Sequence, residues 1–332
     1  MEVLSPFNGV QLFKFQEKFK DEDACKSYLF QLKFSEGFTC SKCNHKEAYT
    51  GSKPYTMVCK SCRHTESATS NTLFHRVKFG LVKAFHIIFE MTNTAKGVSA
   101  NHICSKYGIE YNTAWLFMKK VRVAMASTNN YPMVGKVYVD EFVIGGYEKG
   151  AVGRKNNSKK IKVIMAVEAT NSNGIKRVYS LKIEDYNSLE LKRMFDIHIS
   201  EDAYVYTDKW RGYLPLKSDW QIKQDMKYKN NSPVNRMIQQ LKSWLRGTHH
   251  WVSDYHIHTY LNEFSFRINR SQWKDSIFHK CVERMVNAER KNRLQLCKID
   301  CNSREDFVKT ISLYETMNVK YSVKYGKVKL VA

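Results

Sequence analysis

Four cysteines are spaced so that they can bind one metal ion. Cys40 and Cys43 form one CxxC pair and Cys59 and Cys62 form another, with 15 residues between the pairs. Each pair fits on a tight turn that points two thiolates at one ion, and two such turns complete a tetrahedral zinc site. Such a site has no open position for water, so the predicted zinc is structural. Unrelated core cysteines are the less favoured alternative.

Acidic residues occur in or after two predicted strands. Asp140 and Glu141 lie in the apolar stretch Lys136–Ile144, where side chains alternate, so only one of them is expected at a given site. Asp208 follows the predicted strand 203–207, at a strand end where open α/β sheets bind ligands. Carboxylates from two strand ends can hold Mg²⁺ against a phosphodiester. The alternatives are a solvent-facing strand residue for Asp140 and a turn residue for Asp208.

A predicted helix at 232–246 follows these strands, with Ser232 as its N-cap and Pro233 in its first turn. Asn235 and Lys242 are seven residues apart and share one face of this helix. The Asn235 amide oxygen can complete a metal shell or position a water, and Lys242 can hold a phosphate as a point charge. The alternative is a solvated polar face.

The region between the cysteines and the acids has the pattern of a helix-turn-helix. Two predicted helices, 99–106 and 111–126, are separated by a short turn that contains Gly108. This layout is typical of DNA-reading modules, although an ordinary helical hairpin has the same pattern. The residues that could face base edges or phosphates are Asn112, Thr113, Lys119, Lys120 and Arg122.

The remaining pattern predicts where helices and strands lie. Residues 10–33 are expected to be helical, and beyond residue 135 strands alternate with helices, which indicates an α/β domain. The predicted strands are 136–144, 160–168, 176–184 and 203–207, and the predicted helices of this part are 187–200, 232–246 and 255–270.

The charge of the chain favours a polyanionic partner. The 332 residues carry a formal net charge of +22, and neutralising phosphates would release counterions and relieve self-repulsion. Part of this charge is a basic run after Gly146, composed of Lys149, Arg154, Lys155, Lys159, Lys160 and Lys162. We expect no membrane span and no signal peptide, and nine cysteines without an export signal suggest a cytoplasmic, nucleoid-associated protein.

From about residue 15 to about residue 290, the sequence resembles zinc-ribbon insertion-sequence transposases with an ISXO-like DDE domain, which are relatives of the Merlin transposases. The matching N-terminal motifs are Asp23-Ala-Cys25 with Tyr28-Leu29, Gly37-Phe-Thr-Cys40, Cys59-Lys-Ser-Cys62, Thr72-Leu-Phe-His75, Lys96-Gly-Val-Ser99 and Thr113-Ala-Trp115. The matching C-terminal motifs are Val139-Asp-Glu141 with Gly145-Gly146, Tyr206-Thr-Asp208 through Gly212-Tyr213, Leu241-Lys242, Gly247-Thr-His-His250, Val252-Ser253 and residues 260–270.

The resemblance implies an RNase H-like catalytic core, a mixed sheet with flanking helices. It implies that Asp140 and Asp208 are the first and second catalytic acids, and that Asn235 with Lys242 forms the DDNK variant of a third position that carries Glu in many relatives. Mg²⁺ or Mn²⁺ would be the catalytic metal. Because Asn adds no charge, Glu141 or Glu263 remains an alternative helper, although Glu263 is better placed to pair with Arg267.

The implied reaction is hydrolysis at transposon ends, followed by transfer of the 3′-OH into target DNA, by an oligomer of the chain bound to double-stranded DNA. The alternatives are a catalytically silent, domesticated DNA-binding relative and a structure-specific nuclease. The expected domains are an N-terminal helical segment (1–36), a zinc ribbon (37–68), a helix-turn-helix (76–128), an RNase H-like DDE domain (133–275) and a C-terminal tail (276–332).

Overall fold

A computed structural model describes residues 6–127, 129–146, 160–172, 174–225, 232–298, 321–324 and 327–330. Its helices are α1 Leu12–Lys18, α2 Glu22–Lys33, α3 Leu81–Asn93, α4 Ala100–Tyr107, α5 Tyr111–Ala124, α6 Ser188–His198, α7 Pro233–Trp244, α8 Ile257–Ile268, α9 Lys274–Asn287 and α10 Arg293–Lys298. Its strands are β1 Ala48–Thr50, β2 Thr56–Cys59, β3 Thr65–Ser67, β4 Lys136–Ile144, β5 Ile161–Ala169, β6 Ile175–Ile183, β7 Tyr204–Thr207, β8 Gln221–Gln224, β9 Tyr321–Lys324 and β10 Lys327–Leu330.

The chain divides into two compact units. The first, here called the N-terminal unit, comprises Met1–Met125 and Arg270–Cys297, and the second, the sheet unit, comprises Ala126–Asn269 and Lys298–Ala332. Among the described residues, no helix combines the length and the apolar character that crossing a membrane requires.

The N-terminal unit has an aromatic core that closes around α9. The Phe278 ring of α9 lies 5.1 Å from the Phe15 ring and 5.7 Å from the Phe85 ring, measured between centroids. The Tyr28 hydroxyl of α2 also hydrogen-bonds His279 Nδ1 at 2.6 Å. Burying Phe278 and its partners removes a large apolar area from water, so α9 is part of this core although the sequence suggested only a tail after residue 275.

Helix caps account for several boundaries in this unit. The helix expected over residues 10–33 is two helices, because the Asp21 side chain accepts a hydrogen bond from Ala24 N at 2.8 Å and starts α2 afresh. Ser99 caps α4 in the same way, and Gly108 ends it in a left-handed conformation with φ of 58°. The helix pair α4 and α5 therefore forms where the sequence predicted it.

The sheet unit contains a mixed five-stranded sheet with the order β6-β5-β4-β7-β8. The first three strands are antiparallel neighbours, while β7 runs parallel to β4 and β8 parallel to β7. The four strands and three helices predicted for this unit are all present, with ends within about three residues of the predicted limits, and β4 matches its predicted limits. The α/β fold with a mixed sheet and flanking helices is thereby confirmed.

Each face of the sheet is covered by helices. Val137, Val139 and Val205 face a core built with α6, which includes Leu191 and Phe195. The alternate residues face a second core built with α7 and α8, whose members include Tyr138, Phe142, Leu241 and Phe264. Because side chains alternate along β4, Asp140 lies on the same face as Tyr138 and Phe142, beneath α7.

Candidate active site and metal centre

The parallel pairing of β4 with β7 places the two candidate aspartates side by side. Tyr138 of β4 is in register with Tyr206 of β7. Asp140 follows Tyr138 by two residues, and Asp208 follows Tyr206 by two residues. The Tyr138 and Tyr206 rings stack with centroids 5.1 Å apart, so both residues project from the same face. Adjacent strands lie about 4.8 Å apart, and side chains two residues on share that face. Asp140 and Asp208 are both half-buried there.

The segment that carries Asp208 is fixed by hydrogen bonds. Trp210 N donates to Asp208 Oδ1 at 2.9 Å, which turns the chain immediately after β7. The Gln224 side chain, at the end of β8, donates to the carbonyls of Asp208 at 3.2 Å and Trp210 at 3.0 Å. Trp210 Nε1 in turn donates to the Tyr186 carbonyl at 2.9 Å. The backbone on both sides of Asp208 is therefore held in place.

Helix α7 brings Lys242 over the same face of the sheet. Its Nζ lies 5.2 Å from the centroid of the Phe142 ring. Burial lowers the pKa of Lys242, the charge of Asp140 raises it, and Arg246 and Lys160 lower it further. Lys242 thus lies within electrostatic reach of Asp140, in a site that gathers several cations.

Asn235 is half-buried in the first turn of α7. The helix starts there because Ser232 Oγ accepts a hydrogen bond from Asn235 N at 3.3 Å, as its predicted capping role requires. Seven residues, about two helical turns, separate Asn235 from Lys242 and keep both on one face. One side of the sheet therefore carries all the candidate residues. These are Asp140, Asp208 and the face of α7 that contains Asn235 and Lys242.

Glu141 points away from this site. It is buried on the opposite face of β4, where the Tyr213 hydroxyl donates to its Oε2 at 2.5 Å. Burial raises the pKa of the Tyr213 hydroxyl well above its ordinary value, and Glu141, Asp140 and Asp208 raise it further. Glu263 is buried on α8, with Oε1 3.9 Å from Arg267 Nη1. The hydrogen bond between Tyr213 and Glu141 was not predicted from the sequence, although Gly212-Tyr213 is one of the motifs on which the family resemblance rests.

The donor set at this site suits a hard divalent cation. Two carboxylates and an amide oxygen are the ligand types that Mg²⁺ and Mn²⁺ prefer, whereas zinc favours thiolate and imidazole. A cation held by Asp140 and Asp208 would leave room for water and phosphate oxygens, because these two side chains supply few ligands. Lys242 supplies a positive charge on the same side of the sheet.

The four cysteines of the predicted zinc ribbon do come together. Their sulfur atoms all lie within 4.8 Å of one another. Cys40 Sγ is 3.5 Å from Cys62 Sγ, and Cys43 Sγ is 3.5 Å from Cys59 Sγ. These distances are too long for disulfides and are close to the ~3.8 Å expected between thiolates bound tetrahedrally at about 2.3 Å from zinc. The geometry supports a structural zinc site.

Both CxxC turns have the same backbone conformation and hydrogen-bond pattern. Asn44 N donates to the Cys40 carbonyl at 2.9 Å, and Arg63 N donates to the Cys59 carbonyl at 3.1 Å. Asn44 and Arg63 both adopt left-handed backbone conformations, with φ of 59° and 56°. Burial raises the pKa of the Cys59 thiol, but hydrogen bonds from the N–H groups of Cys62 and Ser61 outweigh it and lower the pKa to about 6. At the same turn a hydrogen bond from the His64 N–H lowers the pKa of the Cys62 thiol, but burial and the neighbouring sulfurs of the cluster raise it to about 12. The turn therefore favours the thiolate, the form that binds zinc, at Cys59.

A buried ion pair attaches the ribbon to α2. Lys33 Nζ donates to Glu66 Oε2 at 2.8 Å and to the carbonyls of Ser67 and Ser70. Glu66 also accepts hydrogen bonds from the backbone N–H and hydroxyl of Ser41, which lies between Cys40 and Cys43. No spacing rule predicted this network, because Lys33 and Glu66 are distant in sequence.

The helix-turn-helix presents a different surface from the one predicted. Lys119 and Arg122 are only 1% and 2% exposed, so the prediction that they face DNA is wrong. Lys120 is half-buried and donates to the carbonyls of Leu73 and His75. α5 packs against α3, α4 and α9, which leaves little of its surface free. Asn112 and Thr113, at its N-terminal end, are exposed.

The basic run after Gly146 lies mostly outside the described residues, which include only Lys160 and Lys162 of its members. Lys162 Nζ donates to the Glu184 carbonyl at 2.8 Å.

Two segments of the chain match protein-family models. Residues 20–65 match the model described as a transposase zinc-ribbon domain, and residues 132–269 match the model described as an ISXO2-like transposase domain. The first segment contains all four clustered cysteines, and the second contains Asp140, Asp208, Asn235 and Lys242. Together the segments cover more than half of the chain. No curated protein matches it.

Proposed function

The chain belongs to the transposases that join a zinc ribbon to an ISXO2-like transposase domain, and from this we propose that it cleaves transposon ends and joins their 3′-OH to target DNA. The observation that carries the proposal is the parallel register of β4 and β7, which sets Asp140 beside Asp208 under the helix of Lys242. Because the matched domains belong to transposases, double-stranded DNA is the expected substrate.

In this proposal each residue at the site has a definite role. Asp140 and Asp208 hold Mg²⁺ or Mn²⁺ with their carboxylates, and the Asn235 amide oxygen completes the metal shell or orients a water. The divalent ions supply activation of the attacking oxygen and stabilisation of the leaving oxygen. Lys242 neutralises the scissile phosphate, which reduces the cost of developing charge.

Two in-line displacements at phosphorus make up the proposed reaction. In the first, water attacks the phosphorus at the transposon end, the bond to the 3′ oxygen breaks, and a 3′-OH and a 5′-phosphate result. In the second, that 3′-OH attacks a phosphodiester of the target, and the target's own 3′ oxygen leaves as a hydroxyl. The protein would act as a dimer or higher oligomer that holds two ends, and in a bacterial cell it would act at the nucleoid.

The roles of the remaining segments follow from the same proposal. The zinc ribbon and the α4–α5 pair would bind the terminal inverted repeats, with Asn112 and Thr113 as the exposed candidates for base contacts. We keep the domain limits that the sequence analysis proposed, with one change. Helix α9, which the sequence analysis placed largely in the C-terminal tail, is assigned to the N-terminal unit.

The test uses the purified, zinc-loaded full chain with labelled duplexes taken from the inverted repeats that flank its gene. With Mg²⁺ or Mn²⁺, the wild type should nick the end and join it to a target plasmid. Asp208→Asn should reduce cleavage on the order of 100-fold or more while DNA binding persists. The matched control is Asp202→Asn, an exposed aspartate just before β7, which should cleave normally.

The outcomes separate the alternatives. Equal cleavage by wild type and Asp208→Asn would refute the role assigned to Asp208. Cleavage by the wild type without joining would indicate a nuclease on this fold. Specific binding of the repeats with no cleavage under either metal would indicate a catalytically silent DNA-binding relative.

A further inference from the structure

A tight turn in the N-terminal unit is held rigidly between two helices. Within residues 69–77, His75 N donates to the Thr72 carbonyl at 3.1 Å, and the Leu73 and Phe74 side chains are buried. From α5, Lys120 Nζ donates to the carbonyls of Leu73 at 3.0 Å and His75 at 3.3 Å. The turn's surface residues therefore have fixed positions.

The last turn of α9 and the residues just after it hold the turn from the other side. Leu73 N donates to the Met285 carbonyl, and Arg290 N donates to the Asn71 carbonyl, both at 3.1 Å. These two bonds bring Arg290, which is far away in sequence, to the turn that carries His75 and Arg76. His75 is half-buried, and both arginines are exposed.

Several positive charges lie around the turn, and among the described residues only one of them, Lys33, has an acidic partner, Glu66. Burial lowers the pKa of His75, and the charges that lower it further are Arg290, Arg76, Lys120 and Lys33. Neither Arg76 nor Arg290 forms an ion pair with any described residue. Two other exposed cations of this unit do have acidic partners: Lys60 lies 3.1 Å from Glu47 and Lys280 lies 2.8 Å from Glu283.

Arg76 also adopts an unfavourable backbone conformation. Its φ of 55° is in the left-handed region, which is costly for a non-glycine residue. Glycine or asparagine would reduce that cost, yet the position carries an exposed guanidinium. Two exposed guanidiniums beside an imidazole form a surface suited to bidentate contact with phosphate oxygens.

We propose that His75, Arg76 and Arg290 form a phosphate-binding patch that grips the backbone of duplex DNA, at a surface distinct from the exposed end of α5. The inference rests on the proposed function, because it takes DNA as the partner. The patch would fix the position of the N-terminal unit on the duplex and would not read sequence, since phosphate contacts carry no base information.

Salt dependence of binding tests the patch directly, because each phosphate contact contributes about 0.9 to the slope of log K against log salt. The full zinc-loaded chain is titrated onto a fluorescent DNA duplex between about 50 and 200 mM salt, the range over which phosphate contacts dominate. The double variant Arg76→Ala/Arg290→Ala should bind more weakly, with a slope smaller by about 1.8. Arg76→Lys/Arg290→Lys keeps both charges and should retain most of the slope.

The matched control is Lys192→Ala/Lys280→Ala, which removes the same charge from cations that already have acidic partners, Asp219 at 3.0 Å and Glu283 at 2.8 Å. Its slope should stay close to that of the wild type. Zinc content and circular dichroism show whether each variant is folded. If the Ala pair is not, Arg76→Gln/Arg290→Gln removes the same charge with longer side chains and should show the same loss of slope.

Two further results would overturn the inference. A wild-type slope in the Arg76→Ala/Arg290→Ala variant would show that the patch does not contact DNA. Tighter binding of an RNA duplex than of DNA, lost in the same variant, would assign the patch to a different partner. If the wild type binds no DNA at any salt concentration, the proposed function itself fails, which is distinguishable from failure of the patch alone.

Discussion

Replacing Glu66 with glutamine should destabilise the zinc ribbon. Glu66 is 2% exposed and lies 2.8 Å from Lys33 Nζ, while Ser41 and Ser70 also donate to its carboxylate. Glu66→Gln preserves shape and one acceptor oxygen but removes the charge. Lys33, itself largely buried, would then lose its counter-ion. Breaking one half of a buried pair is costly because the remaining charge is still desolvated.

The size of the effect follows from the pKa of Glu66. Burial raises that pKa, but the hydrogen bonds from Lys33 and Ser41 outweigh it, and the pKa falls from 4.5 to about 2. This lowering of the Glu66 pKa corresponds to about 3 kcal/mol of stabilisation of the folded carboxylate. Glutamine still accepts some of these bonds, so we expect Glu66→Gln to cost about 2 kcal/mol at pH 7. Because the folded pKa lies below the unfolded one, this stabilisation is present above about pH 4.5 and is lost as the pH falls toward 2.

Urea unfolding of the zinc-loaded chain, followed by release of zinc to a coloured chelator, measures this cost. The matched control is Glu47→Gln, a glutamate of the same ribbon that is 65% exposed and lies 3.1 Å from Lys60. An exposed ion pair contributes little, so the control should unfold like the wild type. If Glu66→Gln and Glu47→Gln have the same free energy of unfolding at pH 7, the argument from the buried ion pair is refuted.

Three further predictions concern other contacts. Tyr213→Phe removes the 2.5 Å hydrogen bond to Glu141 and should lower the free energy of unfolding, measured thermally, by about 2 kcal/mol. Because this change loosens β4 beside Asp140, it should also raise the Mg²⁺ concentration needed for half-maximal end cleavage. Cys43→Ser should lower the zinc content measured by elemental analysis to well below one ion per chain, because three thiolates remain. Gly108→Ala should lower the unfolding temperature through a cost of about 1 kcal/mol, since φ is 58° there, although the added methyl group meets no neighbouring atom.

Local patterns in the sequence were sufficient to predict the zinc site and most elements of the sheet unit, although not the edge strand β8. The limits of β4 follow from alternation over a few residues, and the start of α7 follows from a serine cap before a proline. The cysteine pairs were recognisable because each chelating turn is made by four consecutive residues. All these features depend on neighbours in the chain, which a single sequence displays directly.

Only the tertiary structure decided which distant residues meet. Asp140 lies beside Asp208 because β7 pairs parallel to β4 in one register, and a shift of one residue would place their side chains on opposite faces. The same holds for Tyr28 and His279, which are 251 residues apart in the chain and 2.6 Å apart in the fold.

Lys119 and Arg122 are a further case in which the tertiary structure decided the surroundings of a side chain. Their charge suggested a DNA-facing surface, but α5 is enclosed by three other helices and both residues are buried. The sequence by itself determined the zinc ribbon and most of the helices and strands of the sheet unit, because those depend on periodicity and spacing. The fold decided which side chains face one another, because that depends on strand register and helix packing between segments far apart in the chain.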